Sequence, residues 1–575
     1  MQIPAVQTRA PAARRVPRWL IPSISDCLFL AILLWVFAAG SGWSVLLADG
    51  DTGWHIRTGE YILDTRSVPA HDLFSFSKAG QAWFAWEWLS DVIFAALHRM
   101  WGLKGVVAFT GVVLSFSATL LFRHMVWRGA NLLSALGATL LAAGASTVHY
   151  LARPHIFTLL GLAGALWLLE ADRRRRTRAV WWLVPLTALW TNLHGGFLAC
   201  IACLALVAAG YAGKGLTEGP GTPGRFGDMW RYSALAGLCS LATLLNPYGW
   251  RLHEHLFQYL RADWIRQVVD EFQSPRFRSE SMLQFEILLF AGLALSARLA
   301  RQRRFPEMLL ILFWAHSSLV SARHVPLYVT VAAPVCAEEA SRLWTQWSAR
   351  FGRRSLAGAL RDCLCDFSAA SQHASIWVPL TLMCLAGFPW SWPQDFPGNK
   401  FPVEAFRRNA ERITQTRGGG RRILTSDQWG DYLIYRMYPH ARVFVDGRSD
   451  FYGPAVGREY LDLVNAAHNW ESIVDQYRFD MALLPFEWPL AQVLMRDRRW
   501  QVRYMDRQSV LLEHRDANRL NQKPDSAERI HGCYASESEA GSPAAGQPAV
   551  HNRTAAGRTG RWPERVGTAF GQAPG

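Results

Sequence analysis

The stretch "LLADGDTGWHIRTGEY", Leu46–Tyr61, decides how this chain is read. An uncharged apolar run stops at Leu47, and Asp49, Asp51, His55 and Arg57 follow at once, with Trp54 among them. An amphipathic helix in water spaces its apolar residues at a period of about 3.6. Here they come in blocks. Cys27–Leu47 is the first, followed by Val106–Phe122, Leu132–Val148, Ile156–Leu169, Val180–Leu189, Gly196–Ala212, Ala234–Leu245, Phe285–Leu295, Met308–Val320, Val325–Cys336 and Ile376–Pro389. Crossing about 30 Å of hydrocarbon takes about 20 helical residues, and shorter blocks can cross by tilting or pairing as re-entrant segments. A mainly α, polytopic transmembrane bundle of about eleven spans is expected, with residues 49–57 at the edge of the first span.

Charge sets the expected orientation. The chain has 60 Lys and Arg against 45 Asp and Glu, a net charge of +15. In a soluble protein that balance would suggest nucleic acid; in a polytopic one it reflects cytoplasmic arginine, and no nucleic-acid partner is expected. Arg9, Arg14, Arg15 and Arg18 precede the first span and place the N-terminus in the cytoplasm. Counting spans alternately puts Arg123–Arg128, Arg173–Arg178, Lys214–Arg231, Arg298–Arg304 and Arg342–Arg354 on the inside as well. An odd span count leaves the C-terminal region outside an inner (plasma) membrane. The first block is too long for a signal peptide, and no small-residue cleavage site follows it. The nine cysteines give no framework. Cys200 and Cys203 lie in an apolar helix, Cys363 and Cys365 in an inside loop, and no zinc spacing is present.

Four regions are expected: a cytoplasmic segment 1–24, a membrane domain 25–391, an extracytoplasmic α/β domain 392–520 and a disordered tail 521–575. Phe401–Gln415 reads as an amphipathic helix and Gly418–Gly420 as a hinge. Strands are expected at Ile423–Thr425, Val443–Asp446, Asp480–Pro485, Val502–Met505 and Val510–Glu513, with helices between them at Trp470–Tyr477 and Leu490–Arg496. "WGDYL" puts Asp427 at a helix N-cap, and Asp446, Gly447 and Arg448 form either a ligand loop or, by preference, a structural turn. From about Asn521 the chain is rich in Ala, Gly, Ser, Pro and Arg and loses apolar periodicity.

The polar islands sort to one membrane face. Asp49, Asp51 and His55 share an outside loop with Glu87 in "AWFAWEWLSDV". "HYLARPH" (149–155), "TNLHGGF" (191–197), "LNPYGW" (245–250) with "DEFQSPRF" (270–277), and "ARH" (322–324) fall on the same side. Each island has a plain reading. Asp49 and Asp51 can cap a helix through "TGWHIRTGEYIL". His149 and His155 can sit at the interface, Pro154 and Pro247 can break helices, Gly195–Gly196 can permit a turn, and Trp83, Trp86 and Trp88 suit an aromatic belt. Arg153 and Arg323 can snorkel, but beside carboxylates they would also hold an anionic headgroup.

An acidic motif in the first outside loop, many spans, polar outside loops and an outside C-terminal domain together resemble the GT-C superfamily, integral membrane glycosyltransferases that use polyprenyl-phosphate sugars. The chain looks still more like bacterial polytopic proteins carrying "DGDTGWH…G…P.HD.FSFS…W…EWL", "RPH", "N.HGG", "NPYG", "WGDYL" and "VDGRSDFYG". The resemblance spans roughly residues 25–515 in architecture. It implies Asp51, with Asp49, as catalytic base or acceptor-positioning carboxylate. It implies His55, Glu87, Arg153, His155, Asn192, His194, Arg323 and His324 as substrate-binding groups. Some members use a divalent metal, for which Asp49, Asp51, His55 and Glu87 could supply oxygen and nitrogen ligands; no ligand spacing demands one.

The expected function is therefore transfer of a hexosyl or pentosyl group from a polyprenyl-phosphate donor to an envelope glycan, lipid or protein acceptor on the outer face, with membrane lipids as surroundings. The alternatives are a flippase or transporter of lipid-linked glycans, and a non-catalytic scaffold with an outside binding domain. A transporter should carry polar groups at mid-span and broken helices, whereas this chain concentrates them at one face.

Overall fold

The computed structural model describes residues 17–38, 42–218, 224–352, 354–368, 373, 375–387, 393–414 and 421–515. The Gly418–Gly420 hinge, the tail 521–575 and residues 1–16 of the N-terminal segment lie outside the described residues. The chain forms two compact units, one of Met1–His71 with Ala82–Pro397, the other of Asp72–Gln81 with Gly398–Gly575.

The first unit is built from helices, and each apolar block falls on one or two of them. Five stretches are long and apolar enough by themselves to cross a membrane: Arg18–Ala38, Leu103–Trp127, Leu132–His149, Gly195–Thr217 and Ser281–Arg301. Phe305–Val320 and Trp377–Gly387 are shorter apolar helices. Leu103–Trp127 is the most enclosed of the five, with 72% of its apolar window buried, so it forms the centre. It packs against Ile24–Ala38, Trp88–Trp101, Leu132–Ala145, Ile156–Arg175 and Val325–Ser348. Small residues allow this: Gly105, Thr110, Gly111, Ser115 and Ala118 are buried on it. The Ser115 and Thr110 hydroxyls bond back to the carbonyls of Gly111 and Val106 and leave no polar group bare. Large side chains point outward instead, Leu140 being 59% and Phe290 66% exposed. Such a surface suits hydrocarbon and not water. The protein is a membrane-embedded one.

Charges gather at helix ends. His155 caps Ile156–Arg175, and Arg173 and Arg174 lie in its last turn, about 30 Å away at 1.5 Å per residue. The arginines at this far end are not bare. Arg173 reaches Glu170 and Glu307, each at 2.7 Å. Arg128 pairs with Glu170 at 2.9 Å, Arg174 with Glu338 at 2.9 Å and Arg304 with Glu339 at 2.8 Å. The four glutamates are buried. Read from sequence, this region showed only its arginines.

The second unit contains a five-stranded sheet in the order β2-β1-β3-β5-β4, with β1 Arg422–Thr425, β2 Arg442–Val443, β3 Met481–Pro485, β4 Trp500–Met505 and β5 Ser509–His514. β1 runs parallel to β2 and β3, and β5 is antiparallel to β3 and β4. Asp427–Met437 connects β1 to β2, and Ser449–Val464 with Trp470–Tyr477 connects β2 to β3, the helical crossovers that parallel pairs require. Two expectations are corrected. The helix after β1 is capped by Ser426, whose Oγ accepts the Trp429 N–H at 3.1 Å; Asp427 is its first helical residue. The strand expected at Val443–Asp446 is Arg442–Val443, and a non-local segment pairs with its edge. Val443 exchanges backbone bonds of 3.0 Å with Phe74 and Phe76, which covers an otherwise open edge.

That segment anchors itself by charge. Arg448 donates to Asp72 Oδ1 at 2.7 Å and to both oxygens of Asp446 at 2.7 and 2.8 Å. The Tyr452 hydroxyl donates to Asp446 at 2.7 Å, and Asp72 Oδ2 accepts the N–H and hydroxyl of Ser75 at 2.9 and 2.7 Å. All four principal side chains are buried. The "HD.FSFS" and "VDGRSDFYG" motifs are thus two halves of one buried cluster. Removing one partner of a buried ion pair costs about 3–5 kcal/mol, much of it from the charge left behind. Asp72→Ala should therefore lower the thermal stability of the second unit sharply, and Asp72→Ala with Arg448→Met should recover part of the loss. A double variant no more stable than Asp72→Ala would contradict this account of the cluster.

Candidate functional site

The site lies in the first unit and begins where the opening stretch becomes the helix Asp51–Thr65. Asp49 Oδ1 accepts the N–H of Asp51, the first helical residue, at 2.9 Å, while the N-cap position itself is Gly50. The other Asp49 oxygen takes Arg153 Nη1 at 2.8 Å. Asp51 Oδ2 takes Arg153 Nη2 at 2.7 Å, and Glu271 Oε1 takes Nη1 at 2.8 Å. One guanidinium thus holds three carboxylates. Backbone bonds fix it there: the Ala152 N–H donates to Leu46 O at 2.7 Å, and Thr52 Oγ1 donates to Ala152 O at 2.9 Å. Asp51 Oδ1 is buried, and no described donor meets hydrogen-bond geometry with it. Burial, opposed by Arg153 and by the Trp54 side chain and reinforced by Asp49 and Glu271, pushes the Asp51 carboxyl up to about 7. Burial also works against ionised Glu271, but Arg153 and Arg323 outweigh it and hold that carboxyl far below its usual range.

A second group forms around Glu87. His55, one turn beyond Asp51, places Nδ1 2.6 Å from Asp91 Oδ1. The helix Trp88–Trp101 can bring Asp91 this close because residue 59 is glycine; a Cβ there would stand 1.9 Å from the Asp91 carbonyl oxygen. Burial holds His55 neutral, and burial together with Glu87 raises Asp91 well above the carboxylate range. His55 Nδ1 and Asp91 Oδ1 share a proton across this 2.6 Å contact, and His55 Nε2 lies 3.7 Å from Glu87 Oε2. His194 mirrors it. Its Nδ1 accepts the Gly196 N–H at 3.0 Å and lies 2.7 Å from the Thr158 hydroxyl, so its proton sits on Nε2, 3.5 Å from Glu87 Oε1. Burial, with Arg323 and Arg153, draws His194 down to about 3. Both approaches to Glu87 are longer than hydrogen bonds, a spacing that apo sites often show before ligand tightens them.

The remaining motifs build the frame. The Trp88 indole donates to Asn192 Oδ1 at 2.8 Å, and the Asn192 amide donates to the carbonyls of Ala188 and Leu245, both at 2.8 Å. Asn192, expected to bind substrate, spends its hydrogen bonds on structure. In "NPYG", Asn246 Oδ1 accepts the Tyr248 N–H at 2.8 Å, and the Tyr248 hydroxyl accepts the Ala85 N–H at 2.8 Å, two residues before Glu87.

Arg323 differs from Arg153. Its guanidinium lies 4.5 Å above the Phe272 ring and 3.4 Å from the Tyr259 hydroxyl, and it forms no ion pair with a carboxylate among the described residues. It is tied to the carboxylate group through its neighbours: Ser321 Oγ donates to Glu271 O, and the Ala322 N–H to Gln273 O, each at 2.9 Å. His324 Nδ1 is 3.1 Å from Ser317 O, and His155 Nε2 is 2.5 Å from His149 O. The His155 and His194 rings are 6.4 Å apart.

Asp49, Asp51, Arg153, His55, Glu87 and His194 are therefore brought together, and three groups join them that sequence reading passed over. Asp91 is four residues beyond Glu87 on one helix face, a spacing that was legible. Glu271 and Thr158 had no such signal. For a divalent metal the expected donors do not fit: Asp49 and Asp51 are bound to Arg153, His55 faces Asp91, and no cluster of three ligating side chains converges among the described residues. Chemically, the arrangement offers a buried carboxylate with one oxygen outside any described hydrogen bond, a carboxylate facing two imidazoles, and a cation, Arg323, that makes no direct ion pair among the described residues.

No protein-family model matches the chain, and no curated protein sequence does. Solved structures do. The chain is similar to the apo oligosaccharyltransferase of Archaeoglobus fulgidus, with a TM-score of 0.47 and 13% identity over 80% of this chain and 69% of that one. It is similar to the archaeal oligosaccharyltransferase AglB from Archaeoglobus fulgidus in complex with an inhibitory peptide and a dolichol-phosphate (TM-score 0.46, 13% identity, the same shares). ArnT from Cupriavidus metallidurans bound to undecaprenyl phosphate matches with a TM-score of 0.44 and 14% identity, over 84% of this chain and 97% of that one.

The double glycine of "TNLHGGF" has a role beyond a turn. A Cβ on Gly196 would lie 2.2 Å from Thr158 Oγ1 and 2.9 Å from His194 Nδ1. Gly196→Ala should then break the Thr158–His194 contact and cost about 1–3 kcal/mol, the usual range for overpacking. Thermal unfolding of the purified variant reads this, and an unchanged melting temperature would show that the contact is not tight.

Proposed function

We propose that this protein is a membrane glycosyltransferase of the GT-C type. It moves a hexosyl or pentosyl group from a polyprenyl-phosphate donor to a glycan, lipid or protein acceptor at the outer face of the plasma membrane. In this reading all eleven apolar blocks span, the N-terminus is cytoplasmic, residues 25–391 form the membrane domain, and the α/β domain of 392–520 is extracytoplasmic. The observation that carries the proposal is Asp51: one oxygen held on Arg153, the other buried and outside any described hydrogen bond.

The chemistry follows from that oxygen. An acceptor hydroxyl on Asp51 Oδ1 gives its proton to the carboxylate as its oxygen attacks the anomeric carbon. The bond from that carbon to the phosphate oxygen breaks, and the electron pair leaves with the lipid phosphate. The developing anion needs a cation; Arg323 is that group, because it makes no direct ion pair among the described residues, whereas Arg153 is already bound to three carboxylates. Glu87, between two imidazoles, orients the sugar or acceptor hydroxyls.

A base must be ionised to work. With the Asp51 carboxyl near 7, transfer should rise about tenfold per pH unit below 7 and level off above it. Asp51→Asn has the shape of the protonated acid and should fold normally, with transfer from a panel of polyprenyl-phosphate sugars reduced by about two orders of magnitude or more. Equal transfer by the two proteins, or a flat profile between pH 5 and 8, would sink the assignment.

A further inference from the structure

The carboxylates of this site have the composition of a divalent-cation site, and something already sits among them. Asp49 Oδ2, Asp51 Oδ2 and Glu271 Oε1 all lie 2.7–2.8 Å from the two terminal nitrogens of Arg153. A hard divalent ion collects oxygens from several sides at about 2.0–2.6 Å, whereas these three oxygens are spread over two nitrogens of Arg153 and form no metal-holding group among the described residues. A planar guanidinium can serve the same three acceptors because its donors fork in fixed directions. The Asp49 oxygen turned away from Arg153 is also spent, on the Asp51 N–H at 2.9 Å.

We propose that Arg153 is a built-in cation that fills this carboxylate site, so that the protein holds Asp49, Asp51 and Glu271 together without a divalent metal. Three observations make the arginine a fixed part of the site and not a passing surface charge. It is anchored by the backbone bonds of Ala152 to Leu46 and Thr52. It lies at the end of the "HYLARPH" turn, one residue before Pro154, whose ring limits the conformations of the residue preceding it. It also makes three ion pairs at once, so a metal could enter only by displacing the guanidinium from all three. Arg153 is thus a positioning residue. It sets where the Asp51 carboxylate points and leaves Oδ1 as its open oxygen. This inference concerns what the carboxylates bind and goes beyond the transfer reading; it holds whether or not sugar is transferred.

The test uses the full chain in detergent, stripped with EDTA and dialysed, with Mn2+ as the probe. Equilibrium dialysis read by electron paramagnetic resonance is run on wild type, on Asp49→Asn with Asp51→Asn, and on Arg153→Met. The wild type is expected to bind no more Mn2+ than the double asparagine variant, and its melting temperature should not respond to the ion. Arg153→Met, which keeps the bulk and removes the charge, should melt lower in EDTA and recover in Mn2+, because three carboxylates then face each other without a cation. Mn2+ bound by the wild type and lost in the double asparagine variant would overturn the proposal. So would a folded Arg153→Met that is indifferent to Mn2+. If Arg153→Met does not fold under either condition, the wild-type comparison decides alone.

Discussion

One guanidinium holding three carboxylates is the constraint on which the site depends. Ion pairs taken out of water have lost their hydration, and they persist only when geometry and further hydrogen bonds replace it. Arg153 meets that condition through the three acids and the backbone around Ala152. The consequences spread outward. Asp51 is turned so that one oxygen stays open. Glu271 fixes the segment that Ser321 and Ala322 bond to, and so Arg323 stands near the carboxylates without pairing with one. A different residue at 153 would leave like charges facing each other and would release both ends of this chain of contacts.

The same arrangement recurs where no chemistry is expected. At the far ends of the helices, Glu170, Glu307, Glu338 and Glu339 hold Arg128, Arg173, Arg174 and Arg304. In the second unit Arg448 is shared by Asp72 and Asp446. The three clusters differ in what is left over. The glutamate network lies among arginines, and the Arg448 cluster closes on itself with Tyr452 and Ser75. The Asp51 group differs from the other two in standing near Arg323, a cation that forms no ion pair with a carboxylate among the described residues. Buried pairs of this kind add little net stability compared with apolar packing, and their clearer effect is to fix one geometry. For catalysis that is the useful effect, because a general base must be placed before the substrate arrives.

What the sequence made legible was whatever depends on neighbours along the chain. Apolar blocks became helices because hydrocarbon length and composition fix them locally, and β1, β3, β4 and β5 appear where short alternating or apolar runs stand. Asp49, Asp51 and His55 could be picked out because three polar residues interrupt a greasy run. Contacts made at long range were hidden. Glu271 lies far along the chain from Arg153 and looks like any loop acid. The bonds of Asn192 to Trp88 and Leu245 are of this long-range kind. The pairing of Phe74 and Phe76 with Val443 is of the same kind, and no property of residues 443–446 announces it. The arginine runs were read as orientation signals, which left their glutamate partners unexplained.

The segment Asp72–Gln81 shows why motif order and structural order diverge. In sequence it sits inside the loop that carries "DGDTGWH" before it and "EWL" after it, and one would assign the whole loop to one job. Its physics divides it. Up to His71 and again from Ala82 the residues belong to the first unit, whereas Asp72 to Gln81 belong to the second. The division is enforced by charge and by edge pairing, because Asp72 is the counter-ion of Arg448 and Phe74 to Phe76 complete the edge of β2. A piece of chain cut at Gly398 would carry Arg448 with one acid where two belong, and β2 with an open edge. The second unit is therefore not a module appended to the end of the chain. Its buried charge cluster is finished by Asp72 and Ser75, which lie in sequence between Asp51 and Glu87, so substitutions at these two residues act on the folding of the second unit.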